Sequence, residues 1–361
     1  MKKPLRKPKY PNFSSGPTQK PDTWSVKRLN LKFLGRYHRS KNVNEYIEKI
    51  IFSLKKILEI PNDYSVFLTP GSCTGAMESI LWSLLGKNNI TTIVTDHWGH
   101  LWSKNIKKLK YKQEIRGKIN GEVPDLERID SNSDLIFVWT GTTSGFSFNE
   151  EKWIPYKHKG LIITDITSSV FINEINWNQI DAAAFSWQKA LGSESQHGIV
   201  VLSPKAKDRL KNNRKMNLPK VLDLNNVSFP INTPSILCLA DFEFCLNWYK
   251  KKGGLKWSKY KCLENKKILD NWSKNNLYFK YFVKEPNFRA NSVSFFILKQ
   301  TTFEKKIPKI INFLEKNNIA FDISSYRLSP IGIRIWTGPT IKKKDLIALT
   351  NWLDWCFYKL I

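Results

Sequence analysis

Residues 182–198 read AAAFSWQKALGSESQHG. An apolar run ends at Ser186, Trp187 and Gln188, one lysine follows, and a Gly/Ser loop comes after it. A lysine at the end of a buried strand loses hydration, which costs free energy and pushes its pKa down. Lys189 is therefore either a side chain that snorkels past a strand edge or a neutral amine available for chemistry, and position alone does not choose between them.

The segments around it set the context. NEYIEKIIFSLKKILEI places Ile47, Ile50, Ile51, Leu54 and Ile57 or Leu58 at helical spacing and predicts an amphipathic helix. YSVFLTP then predicts a strand, GSCTG a glycine turn, and AMESILWSLLG a helix ended by Gly86. Further short apolar runs follow: TTIVT, DLIFVWT, GLIITDIT, DAAAFSW and GIVVLSP. Continuous apolar runs of that length are buried strands of a largely parallel sheet covered on both faces. After about residue 235 the pattern changes to long helical stretches mixed with the strands SVSFFIL and GIRIWTG, closed by a helix in KKDLIALTNWLDWCFYKLI. The expected architecture is α/β: a basic segment over residues 1–14, a large α/β domain over 15–235, and a smaller α+β domain over 236–361.

Composition narrows the function classes. With 361 residues, 41% hydrophobic and 13% aromatic, the chain can bury a large core. No apolar run reaches the ~20 residues that span a bilayer, and no h-region follows MKKPLRKPKYPNF, so a cytoplasmic protein without membrane association is expected. Five scattered cysteines with no CxxC pair, and five histidines without HExxH, argue against a disulfide framework and against a metal site. A formal charge of +27 could attract nucleic acid, an anionic membrane or a small anionic substrate. The lysines are spread through almost every segment instead of forming a stripe, which suits a solvated basic surface better than a nucleic-acid site.

Ligand sites of open α/β sheets lie beyond the carboxyl ends of the strands. At those ends stand Gly71 to Thr74, Thr142 to Gly145, Asp165 to Ser168, and Ser186 to Lys189. GSCTGAME offers helix-start N–H groups to a phosphate, or is an ordinary helix cap; it is neither a Walker A loop nor GxGxxG. Asp165 is a strand-end carboxylate or an N-cap. Together, a phosphate cradle, a strand-end aspartate, a lysine 24 residues later and a nearby tryptophan form the set that pyridoxal phosphate requires. The lysine bonds the aldehyde, the aspartate keeps the ring nitrogen protonated, and an aromatic stacks on the ring.

At this point the sequence resembles the fold-type I, class V pyridoxal-phosphate-dependent aminotransferases, and within them the phosphoserine aminotransferase family. The similarity rests on NFSSGPTQKP, YHRSKN, FSWQKALG and INTPS, in that order along nearly the whole chain. It implies a large domain with a mainly parallel seven-stranded sheet plus a small C-terminal domain. By resemblance, Lys189 is the Schiff-base lysine, Asp165 the pyridinium partner, Trp102 the stacking ring and Thr142 the hydroxyl near the phenolic oxygen. Cys73, Thr74 and Gln188, with Asn232 and Thr233 from the partner subunit, hold the cofactor phosphate, which implies a homodimer with shared sites. His38 and Arg39 bind the substrate phosphate, and Arg334 binds the carboxylate. The implied reaction moves an amino group between glutamate/2-oxoglutarate and 3-phosphohydroxypyruvate/O-phospho-L-serine in serine biosynthesis, with the 4-phosphohydroxy-threonine step of vitamin B6 synthesis as a further substrate.

Two departures stand out. Thr74 occupies the place of an arginine in the family's Gly-Gly-Gly-Arg turn, and GSESQHG replaces an Asn-x-Gly-Pro run. Both resemble a separate branch of the family. The rival expectations are a serine–glyoxylate-type aminotransferase, a cysteine desulfurase, which needs a reactive loop cysteine, and a basic nucleic-acid-binding protein, which leaves Asp165 and Lys189 unexplained.

Overall fold

The computed structural model describes residues 1–149, 152–155, 157–213, 218–225 and 230–360. In chain order the first strands are β1 (Ser65–Pro70), β2 (Ile90–Ile93), β3 (Gln113–Arg116) and β4 (Asp134–Val138). A small hairpin follows, β5 (Thr140–Gly141) and β6 (Phe146–Ser147), then β7 (Ile162–Asp165), β8 (Ala182–Phe185) and β9 (His197–Leu202). Apart from the hairpin these build one seven-stranded sheet in the order β1-β9-β8-β7-β4-β2-β3. The pairs β8–β7, β7–β4, β4–β2 and β2–β3 are parallel, and β9 runs antiparallel to both of its neighbours.

The sheet is mainly parallel, as expected, but GIVVLSP is its reversed strand. The reason is the connection: residues 186–196 join β8 to β9 without a helix, and a parallel return needs a crossover of about a dozen residues or more. The consequence is local. That short connection carries Lys189.

Both faces of the sheet are buried, and the period of two decides which side chains go where. Leu135 and Phe137 pack in one core cluster while Ile136 and Val138 pack in the other; Ala183 and Phe185 divide from Ala182 and Ala184 in the same way. Helix α1 (Lys41–Ile57) covers the first face through Ile47, Ile50, Ile51 and Leu54, the apolar stripe read in the sequence. Helix α2 (Ser72–Leu84) covers the second through Met77, Ile80, Leu81 and Leu84, joined there by Trp102 and Ile106 of α3 (His97–Lys108). Each fully buried leucine or phenylalanine contributes about 1.5–3 kcal/mol.

Helix α4 (Pro204–Asn212) follows β9; α5 (Ile236–Lys252) and the 22-residue α6 (Gly254–Asn275) come next, divided at Gly253, whose φ of 108° ends α5. The remaining elements are β10 (Phe279–Tyr281), β11 (Val293–Leu298), α7 (Ile307–Lys316), β12 (Gly332–Trp336) and α8 (Lys343–Leu360), with β10-β11-β12 forming an antiparallel sheet. The basic segment at the start of the chain is tied to these last elements. Phe13 is fully buried, Phe321 N donates to Pro11 O, Trp336 N to Phe13 O, Lys9 N to Asp345 Oδ1 and Trp352 Nε1 to Arg6 O. Among the described residues no helix is long and apolar enough to cross a membrane.

Candidate active site

A pocket of about 200 Å³ opens at the carboxyl ends of β4, β7 and β8, and Cys73, Thr74, Trp102, Thr142, Asp165, Gln188, Lys189 and Arg334 all line it. Strand pairing does most of the assembly. β7 and β8 are parallel neighbours with Asp165 opposite Ala184, so the aspartate at one strand end and the lysine just beyond the other emerge side by side despite the 24 residues between them. Thr142 sits in the turn of the β5–β6 hairpin.

The backbone that carries Lys189 is pinned from two sides. Thr18 N donates to Gln188 O at 3.1 Å and Thr18 Oγ1 to Lys189 O, while the fully buried Trp187 ring stacks on Phe242 with centroids 4.1 Å apart. The Lys189 side chain itself is buried and its Nζ donates to Ser15 O. A Cβ at position 16 would lie 2.4 Å from that Nζ, so glycine there is what lets the main chain pass against the amine. Burial, with the Arg334 charge adding to it, brings the Lys189 ammonium down to about 8. Lys189 is buried and does not snorkel past a strand edge.

Asp165 is also buried: Oδ1 accepts from Thr167 N at 3.0 Å and Oδ2 from Trp102 Nε1 at 3.3 Å. α2 begins at Ser72, earlier than the turn read in the sequence, so Cys73 and Thr74 belong to its first turn. No side chain caps that helix, and first-turn N–H groups lack intrahelical acceptors, which leaves an anion site at the pocket wall. Arg334, on β12, packs its guanidinium 5.3 Å from the Tyr326 ring centroid, and among the described residues its buried Nε has no partner. Among the same residues the buried Gln188 Oε1 also lacks one, so the pocket wall carries polar atoms that a bound molecule could satisfy. An amine, a carboxylate, an uncapped helix start and unpartnered polar atoms fit pyridoxal phosphate.

Four expected site residues lie elsewhere. His38 and Arg39 are in the turn before α1, Arg39 exposed, with its carbonyl accepting from Asn44 Nδ2. Asn232 and Thr233 precede α5, the asparagine amide donating to Thr233 O at 3.4 Å. None of the four lines this pocket.

Other residues belong to the site although the sequence did not single them out. Trp98 and Tyr326 line the pocket and stack on each other with centroids 6.0 Å apart, and Trp98 also stacks on Trp102. Arg327, with a φ of 41°, sets Nη1 3.4 Å from His97 Nε2. Asp96 is fully buried beneath the pocket wall and caps α3; burial brings its carboxyl up to about 6, against the pull of donors from Gly99 and Thr143. On α3 the sequence singled out Trp102 alone; Tyr326 and Arg327 lie in an irregular segment with no periodicity to mark them. Four of the five cysteines are poor candidates for nucleophilic chemistry: burial pushes the thiols of Cys73, Cys245 and Cys262 well up and that of Cys356 to about 12.

This arrangement, a mainly parallel sheet presenting lysine and aspartate at neighbouring strand ends, is the fold-type I architecture of pyridoxal-phosphate-dependent aminotransferases. Solved structures with this architecture include phosphoserine aminotransferases from Cytophaga hutchinsonii (TM-score 0.81, 18% identity, covering 95% of this chain and 97% of that one) and Trichomonas vaginalis (TM-score 0.81, 18% identity, 96% and 100%). An alanine–glyoxylate aminotransferase from Nostoc superposes as well, at TM-score 0.81 and 17% identity over 99% and 97% of the two chains, so the fold alone does not choose within the class. Sequence does: the phosphoserine aminotransferase of Methanosarcina mazei is 38% identical over 98% of this chain and 99% of its own length, and that of Methanosarcina barkeri 36% over the same shares. The chain belongs to the phosphoserine aminotransferase family. No family model matches it.

Proposed function

We propose that this chain, with pyridoxal 5'-phosphate as cofactor, transfers an amino group reversibly between glutamate/2-oxoglutarate and 3-phosphohydroxypyruvate/O-phospho-L-serine, serving serine biosynthesis in the cytoplasm. The observation that carries the reading is the buried Lys189 amine beside the buried Asp165 carboxylate, in a pocket that also holds Arg334, whose buried Nε has no partner among the described residues. The names of the two Methanosarcina relatives supply the phosphorylated substrate.

Bound there, the cofactor would supply an electron sink for the pair released when a substrate Cα gives up its proton. Everything else falls to the chain. Lys189 would hold the aldehyde carbon and, once freed as a neutral amine, carry the proton to and from the substrate Cα, a task that suits a group titrating near 8. Asp165 would hold a proton on the ring nitrogen, its orientation fixed by Thr167 and Trp102. Trp102 would cover the ring and Thr142 meet its phenolic oxygen. The first turn of α2 with Cys73, Thr74 and Gln188 would take the cofactor phosphate. Arg334 would grip the substrate α-carboxylate in a planar fork.

The remaining four residues would act from a second subunit, making the enzyme a homodimer with shared sites: His38 and Arg39 on the substrate phosphate, Asn232 and Thr233 on that of the cofactor. In support, the segments that carry them bear exposed apolar side chains, Leu34, Tyr37 and Leu237, of the kind a partner covers.

A direct test compares 3-phosphohydroxypyruvate with unphosphorylated hydroxypyruvate as amino acceptors for glutamate. The phosphorylated acid should be strongly preferred; equal use would move the assignment to an aminotransferase of unphosphorylated acids, such as a serine–glyoxylate type. The 4-phosphohydroxy-threonine pair of vitamin B6 synthesis carries the same two anionic groups and is expected to be accepted in the same assay. Arg39→Ala should raise KM for phosphorylated substrates roughly ten- to hundredfold, the loss of a charge-assisted bond of about 1.5–3 kcal/mol, with little change for glutamate. Arg334→Ala should raise KM for donor and acceptor alike by a similar factor, since both carry the α-carboxylate.

A further inference from the structure

Beneath the pocket lies a buried acid that the reaction above does not use. Asp96 is completely inaccessible to solvent, and among the described residues no cation stands within ion-pair distance of it. Capping α3 does not by itself call for this residue: a serine or asparagine would receive the Gly99 N–H equally well without burying a charge. The carboxylate instead accepts from two segments, α3 and the hairpin turn at Thr143. Oδ1 takes Gly99 N at 2.9 Å, and Oδ2 takes the hydroxyl of Thr143 at 3.1 Å. Thr143 Oγ1 in turn accepts from His97 N at 2.9 Å, and the Thr143 carbonyl accepts from Ser329 Oγ at 2.8 Å. A Cβ at position 141 would lie 2.6 Å from the Asp96 Cβ, so the hairpin turn rests directly on the acid.

Three walls of the pocket meet at this one junction. α3 brings Trp98 and Trp102, the turn after β5 brings Thr142, and the segment ending at Ser329 brings Tyr326. We propose that Asp96 is a positioning residue: by accepting from Gly99 and Thr143 together, its carboxylate sets the indole of Trp102 and the hydroxyl of Thr142 at the separation that admits the cofactor ring. The proposal rests on the proposed function above, because it assigns the acid to the same pocket.

The chemistry of the junction supplies a specific test. Asp96→Asn keeps an oxygen for Gly99 N, so α3 retains its cap, but presents an N–H₂ to Thr143 Oγ1. That oxygen already receives His97 N, so its own proton would be left without an acceptor. Thr143→Val removes the hydroxyl outright and leaves the Gly99 cap untouched, while Thr143→Ser restores it.

Cofactor-free protein is titrated with pyridoxal phosphate, following the quenching of tryptophan fluorescence and the visible band of the bound cofactor, and its far-ultraviolet circular dichroism melt is recorded alongside. Asp96→Asn and Thr143→Val are each expected to weaken cofactor binding roughly ten- to hundredfold and to lower the quenching at saturation, with Thr143→Ser close to wild type. The double variant should be no worse than either single one, because both break the same link. Wild-type affinity in Thr143→Val would show that Asp96 is a helix cap alone and overturn the proposal. So would a collapse of the cofactor-free melt in Asp96→Asn, which would make the acid a requirement of the fold. Failure of the wild-type protein to bind pyridoxal phosphate would instead overturn the proposed function.

Discussion

Lys189→Ala is expected to abolish transamination, by at least roughly four orders of magnitude, while leaving the fold intact. On the proposed function the side chain supplies both the covalent anchor for the cofactor and the base, and among the described residues no second amine lines the pocket to replace it. The visible band of lysine-bound pyridoxal should vanish, and near-normal turnover in this variant would refute the assignment. A companion measurement follows from burial. Because the folded protein lowers this lysine from 10.5 to about 8, folding carries a penalty on the order of 3 kcal/mol at and below pH 8. The penalty falls away as pH rises from 8 toward the pKa of an unfolded lysine, since over that window the unfolded chain binds the proton and the folded one does not. Lys189→Met, which keeps the chain and drops the charge, should raise the melting temperature of the cofactor-free protein at pH 7. The gain should shrink between pH 8 and 10. A gain independent of pH would mean that the amine is not the source.

Asp165→Asn should bind cofactor within about tenfold of wild type yet slow single-turnover proton removal by roughly two to four orders of magnitude. An amide can hydrogen-bond a ring nitrogen but cannot stabilise a positive one. Its geometry is also wrong for the site. Both Asp165 oxygens accept, one from Thr167 N and one from Trp102 Nε1, so either orientation of an asparagine turns a donor against a donor. An unchanged single-turnover rate would reduce Asp165 to a cap of the turn that follows β7.

Both residues could be marked in the sequence for one reason: Asp165 ends a short apolar run and Lys189 follows one by a few residues, and strand ends in a parallel sheet are where sites form. Periodicity likewise marked α1, with the burial of Ile47, Ile50, Ile51 and Leu54 as read. What depended on non-local pairing was not legible. The reversal of β9 is set by the length of a connection and by the partner it finds, and nothing within GIVVLSP distinguishes a parallel strand from an antiparallel one. Thr143 lies in a strand-end segment that the sequence marked, but Asp96 and Tyr326 join it only in space, so no motif could announce their junction. The similarity of YHRSKN and INTPS to family segments marked residues that this pocket does not contain, which is what a site completed by a second chain would give.

The attachment of residues 6–13 to the far end of the chain bears on the order in which the protein can be made. Pro11 and Phe13 receive their hydrogen bonds from Phe321 and Trp336, and Arg6 and Lys9 from or to Trp352 and Asp345, none of which exists when the ribosome begins. Residues 6–13 must therefore wait, unpaired, until residues 321–352 have been synthesised. Ser15, which receives the Lys189 amine, lies two residues beyond Phe13. A nascent chain could thus complete its seven-stranded sheet, whose last strand ends at Leu202, while the segment leading to Ser15 is held to the lysine loop through Thr18.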